Sequence, residues 1–145
     1  MNFQFLMPLI LSLTLFLPSI SRADDAAVTA WAEQVLYSTL TFNYAVPTSE
    51  VNTIRANYSP NAWDGLQTFF SQQIQMLKDQ KIIPEPQSLG PAVIVEKGII
   101  YGTNYWRVNK DYYFPAINRG ASFSLFIVQS TNPPYIIQSL SVDLK

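Results

Sequence analysis

Two periodicities divide this chain. From Asp24 to about Lys81 apolar residues return every three or four positions, and from about Ile82 to the end they alternate or run together. The first regime predicts helices and the second predicts strands. Val28, Trp31, Val35, Leu36 and Leu40 mark the buried stripe of a helix over about 25–42, with Asp24 or Asp25 as its N-cap. Asn43 to Pro47 reads as a break, and a short helix over about 49–58 carries Val51, Ile54 and Tyr58 on one face. Pro60 disfavours helix at Ser59, so that helix stops there. Ser59-Pro60 then starts a third, Ser as N-cap and Pro at the first helical position. Its apolar positions Trp63, Leu66, Phe70, Ile74 and Leu77 are spaced 3, 4, 4 and 3, opposite Gln67, Ser71, Gln75 and Asp79.

The second half predicts four strands. Ala92–Tyr101 is one, with Gly98 at a bulge, and Gly102-Thr103-Asn104 turns the chain into Tyr105–Phe114. There Trp106, Val108, Tyr112 and Phe114 share a face that Lys110 interrupts. Asn118-Arg119-Gly120 is the next turn, and Phe123–Val128 reads as a central strand covered on both faces. After Asn132-Pro133-Pro134 the last strand alternates Ile136, Gln138, Leu140, Val142 and Leu144 against Ile137, Ser139, Ser141 and Asp143. Three turns joining successive strands predict an antiparallel meander, with the helices packed on one face: an α+β domain.

Ahead of the domain, residues 1–23 read as a signal peptide. The apolar run Phe5–Leu17 has the length of a signal core, Pro18 breaks it, and Ser21-Arg22-Ala23 ends small-x-small, placing cleavage between Ala23 and Asp24. This leaves one domain over 24–145 and an exported, periplasmic protein. The competing reading is an uncleaved inner-membrane anchor, because Phe3–Ile20 reaches the short edge of a bilayer span and the n-region has no Lys or Arg.

Composition then removes chemistries. With His 0 and Cys 0 there is no imidazole base, no thiolate, no disulfide and no Cys/His metal site. The formal net charge of -1 gives no footprint for nucleic acid. The 5 glycines are scattered, so no phosphate-cradling loop exists, and no acidic run has calcium-loop spacing. No cofactor is expected. Acid–base work would fall to carboxylates on strands. Asp111, beside Tyr112 and Tyr113, and Glu96 are the candidates for a cone-shaped cavity, although facing solvent is the simpler fate for Asp111. Trp31, Trp63 and Trp106 fall on core stripes, where packing explains them.

The order of local motifs is more specific. NYSPNAWDGLQTFF (57–70), with Tyr58, Pro60, Trp63 and Phe70, resembles a Tyr-Phe, Thr-Pro, Gly-Trp, Phe stretch of the IcmL/DotI family of type IVB secretion and conjugation systems. FNYAVPTSEVNTI (42–54) is similar to that family's polar break and short helix. GIIYGTNYWRVNKDYYFP (98–115), with Gly98, Tyr105, Trp106 and Val108, resembles its hairpin, and SFSLFIVQSTNPPYIIQSL (122–140) its last strands. Together these cover about 26–144. The departures are an apparent signal peptide in place of a cytosolic stretch and membrane helix, and Ala62-Trp63 where the family often has Gly-Trp.

The resemblance implies a VirB8-like, NTF2-like periplasmic domain that is non-catalytic and assembles with itself, with secretion-system components or with other envelope proteins. This would be an accessory or paralogue of a type IVB apparatus. The alternative is a small-molecule-binding or acid–base enzyme using the cone cavity of the same fold.

Overall fold

The computed structural model describes residues 22–41 and 47–145. The leader up to Ser21, and most of the break at 43–47, lie outside the described residues. Three helices come first: α1 (Arg22–Leu40), α2 (Thr48–Arg55) and α3 (Pro60–Asp79). Five strands follow: β1 (Gln87–Ser88), β2 (Val93–Ile100), β3 (Thr103–Phe114), β4 (Arg119–Gln129) and β5 (Tyr135–Leu144), with a 3-10 turn at Pro115–Ile117 before β4. All strand pairs are antiparallel, in the order β1-β3-β4-β5, and β2 also pairs with β3. Thus β3 is bordered on one side by β2 and then β1, and on the other by β4. The fold is α+β, with the expected meander extended by the two residues of β1, too short a pairing to leave a periodic signal.

The core lies between the helices and one face of the sheet. Val28, Ala32 and Leu36 of α1 and Trp63 and Leu66 of α3 meet Trp106, Val108, Phe123, Leu125, Ile127 and Ile137. Burying each of these large side chains contributes about 1.5–3 kcal/mol, which supplies the drive to cover this face. Trp31 is only partly buried and packs its ring 5.3 Å from Tyr135, whose ring sits 5.6 Å from that of Trp106.

Ser59 caps α3 as expected, accepting from Ala62 N at 3.1 Å. The same hydroxyl donates to Gln138 O of β5 at 2.8 Å. α2 ends sooner than periodicity alone implies, because Asn57 O accepts from Ile137 N at 2.9 Å and Ser59 N donates to Ile137 O at 2.9 Å. Sheet-edge hydrogen bonds, not only Pro60, pull that segment out of the helix. Pro47, with no capping side chain, precedes α2.

Four local expectations need correction. Asp24 and Asp25 lie within the first turn of α1, which begins at Arg22, and Asp25 serves tertiary contacts. The β2 bulge falls between Ile94 and Glu96, and Gly98 stands in register with Tyr105. The turns sit one or two residues from the expected places, since β3 starts at Thr103 and β4 at Arg119. Finally, β4 is buried on one face only: Phe123, Leu125 and Ile127 are in the core, while Phe126 and Val128 are half-buried on the open side.

Candidate interaction surfaces

Three surfaces could meet a partner, and each is set by strand or helix alternation. The first is a cavity of about 110 Å³ at the far end of the helical layer. It is lined by the last apolar residues of the α3 stripe, Phe70, Ile74 and Leu77, together with Leu40, Val51, Ile54 and Phe114. The sheet covers only the first half of that stripe: Trp63 and Leu66 are buried, whereas Phe70, Ile74 and Leu77 are half-buried. Gln73 also lines the cavity, and its Oε1 is buried with no hydrogen-bond partner among the described residues. Phe70 stacks 6.3 Å from Phe123 and so joins this rim to the sheet.

The second surface is the outer face of the sheet, which no helix covers among the described residues. Because even-numbered residues of β3 from Trp106 to Phe114 point to the helices, its odd-numbered residues point out. Register brings Glu96 opposite Arg107 and Gly98 opposite Tyr105, while Arg107 lies across from Phe126. Arg107 Nε is 2.7 Å from Glu96 Oε2, and Tyr105 Oη donates to Glu96 Oε1 at 3.1 Å. The Arg107 guanidinium stands 5.0 Å from the centre of the Phe126 ring, and Tyr105 packs 5.3 Å from the same ring. Hydrogen bonding to the Glu96 carboxylate, more than any burial, raises the Tyr105 pKa above its ordinary value. A Cβ at Gly98 would meet Tyr105 Cε1 at 2.9 Å, so glycine lets the ring lie over this position.

The third is the β2 side of the sheet, where among the described residues β2 pairs only with β3. Val93, Val95, Ile99, Ile100 and Tyr101 are exposed along it.

These placements settle where the acid–base candidates lie. Asp111 is exposed on the outer face, in a shallow polar recess with Asn109, Ser122, Ser124 and Asp143. Glu96 is exposed on the same face, held by Arg107 and Tyr105. Neither borders the apolar cavity beneath the helices. Strand alternation puts both on the side of the sheet away from the helices. The charge that does enter the interior is Lys110, which is 3% exposed. Its Nζ donates to Ser88 Oγ and Gly90 O, lies 3.8 Å from Glu33 Oε1, and sits 5.0 Å from the Tyr112 ring centre. Glu33 also accepts from Ala92 N at 2.6 Å. Lys110 therefore does not interrupt the buried face; it ties that face to the segment 88–92 and to α1.

Of the residues that carry the motif resemblance, Tyr58, Trp63, Trp106 and Val108 are buried, Phe70 borders the cavity, Pro60 opens α3, and Gly98 and Tyr105 pair on the outer face. Tyr58 Oη lies 2.7 Å from Thr39 Oγ1, and burial pushes its pKa up.

The model for type IVb secretion system inner-membrane complex components, DotI/IcmL, matches residues 12–117. The chain belongs to the DotI/IcmL family. The periplasmic domain of DotI superposes with a TM-score of 0.67 at 20% identity, covering 82% of this chain and 94% of that one. An IcmL-like type IV secretion system protein from Legionella pneumophila superposes with a TM-score of 0.61 at 14% identity, covering 84% of this chain and 94% of that one. Among curated proteins no sequence matches. DotI/IcmL membership and the shared α+β fold agree with the order of motifs along the chain.

Proposed function

We propose that this DotI/IcmL-family chain is a non-catalytic assembly component of a type IVB secretion apparatus, with its domain on the periplasmic side of the inner membrane. The observation that carries this reading is the family match, which runs through all three helices and β1–β3. The shape supports it: the interior under the helices is packed with Trp63, Trp106, Phe123 and aliphatic residues, while an apolar rim and an aromatic, charged outer face remain available to other proteins. The acid–base alternative finds no support in the geometry, since Glu96 and Asp111 are solvent-facing.

For the leader, cleavage between Ala23 and Asp24 would release the domain, and retention would hold it at the membrane. Among the described residues no helix is long and apolar enough to cross a membrane, and the segment in question precedes them. The family match reaches back to residue 12, inside the apolar run, and this favours retention. Crosslinking in intact cells with a C-terminal tag, followed by mass spectrometry of bait and partners, tests both points. The expected result is an intact N-terminus together with inner-membrane secretion components. A bait recovered alone would overturn the assembly role, and one starting at Asp24 would overturn retention.

A further inference from the structure

The tip of the β2–β3 hairpin is built at a conformational cost. Tyr101 is fully exposed and has φ of 49°, followed by Gly102 at φ of 76°. Two positive φ values in succession suit Asn-Gly or Gly-Gly, and a bulky aromatic is disfavoured in the left-handed region. Ile99 and Ile100, 55% and 41% exposed, precede it. From Gly98 to Trp106 the chain carries no charged residue. Such a tip, two half-exposed isoleucines and a fully exposed tyrosine, leaves uncharged apolar surface in solvent.

The position of α1 indicates what it meets. Asp25 Oδ2 is 2.5 Å from Lys97 Nζ, and Asp25 Oδ1 accepts from Trp106 Nε1 at 3.2 Å. Eight residues later Glu33 reaches Ala92 N. Passing up α1 from Glu33 to Asp25 thus follows β2 from Ala92 to Lys97, about 12 Å of helix beside about 16 Å of strand. The first residue of α1, Arg22, therefore lies at the end of the domain that carries the hairpin tip, and the chain before it leaves from that end. Those preceding residues include the apolar run Phe5–Leu17.

We propose that Ile99, Ile100 and Tyr101 dock into the headgroup layer of the inner membrane. Tyrosine favours that layer because its ring is apolar and its hydroxyl stays hydrated. Paired with the N-terminal segment, the tip is a second contact that fixes how the domain stands on the bilayer, leaving the outer sheet face and the apolar cavity to protein partners. This inference rests on the retention of the N-terminal segment.

The full chain has no cysteine, so a single introduced one gives a unique label. Thr103→Cys places it beside the intact tip, and Asp143→Cys places it at the opposite end of the sheet. Each full-length variant carries an environment-sensitive fluorophore and is reconstituted into phosphatidylethanolamine/phosphatidylglycerol vesicles containing a lipid with a shallow quencher. The expected result is flotation with the vesicles, several-fold stronger quenching at 103 than at 143, and loss of that difference when Tyr101→Asn is added. Flotation with equal quenching overturns the docked tip and leaves the anchor standing. Failure to float overturns the anchor and the tip together. A difference that survives Tyr101→Asn and a further Ile99→Asn overturns the role of the tip residues, and the thermal midpoint of each variant shows whether the fold persists.

Discussion

Single residues here are decided by what stands across from them. Gly98 has φ in the ordinary range, and its lack of a side chain matters for a different reason: the Tyr105 ring lies over it, hydrogen-bonded to Glu96. Gly98→Ala should push that ring away and weaken the Glu96–Arg107–Phe126 cluster. In urea unfolding the displaced ring should offset the ~0.5–1 kcal/mol that alanine gains over glycine within a strand, and that gain should appear when Gly98→Ala is made in a Tyr105→Ala background. Lys110 presents the opposite case, a buried ammonium with its donors occupied. Lys110→Ala should cost about 2–4 kcal/mol, through lost packing of the buried stem and lost ties to Ser88, Gly90 and Glu33. Lys110→Met, keeping most of the volume, should cost clearly less, since a buried ion pair is a weak source of net stability. Equal losses in the two variants would show that the charge, not the stem, holds the 88–92 segment.

At the scale of elements, the junction between α2, α3 and β5 is the joint on which the helical layer sits. The Ser59 hydroxyl serves two elements at once, accepting from Ala62 N and donating to Gln138 O. Ordinary N-cap removal costs about 0.5–2 kcal/mol, so Ser59→Ala is expected at or above the upper end of that range. Ser59→Asp keeps an acceptor for the cap but supplies no donor for β5. It should recover only part of the loss, and full recovery would mean that the β5 hydrogen bond adds nothing. The α3 stripe carries a related lesson. Its regular spacing is legible as an amphipathic helix, yet only its first half is covered by the sheet, and the second half becomes the wall of a cavity. Periodicity reports which face is apolar; it does not report whether that face is covered.

For the whole molecule, two tyrosines in the helix–sheet interior govern the response to alkali. Burial raises the Tyr58 pKa strongly, and burial followed by the nearby Glu33 charge raises that of Tyr112 to about 12. Both hydroxyls stay protonated in the folded state above the pH at which an unfolded tyrosine, near ~10, ionises. The unfolded chain then binds fewer protons, so stability is fully present below about pH 10 and falls as pH rises towards the folded values, by up to ~1.4 kcal/mol per pH unit for each tyrosine. Urea midpoints between pH 8 and 11.5 should fall along this slope, and Tyr58→Phe should flatten it. A midpoint as steep in that variant as in the parent would remove Tyr58 from the account.

The division into helices and then strands, the Ser59-Pro60 start of α3, the core tryptophans Trp63 and Trp106, and the family itself were all readable in the linear order, because caps, spacing and motifs are local. The tertiary structure alone decided what depends on register and on layering. It aligned Gly98 with Tyr105 and moved the bulge to Val95. It turned Lys110 inward and Asp111 outward, left half of β4 uncovered, and joined Asp25 to Lys97 and Trp106 across the fold. A strand's alternation says that neighbouring residues face opposite ways; only the layer packed against the sheet determines which way is in.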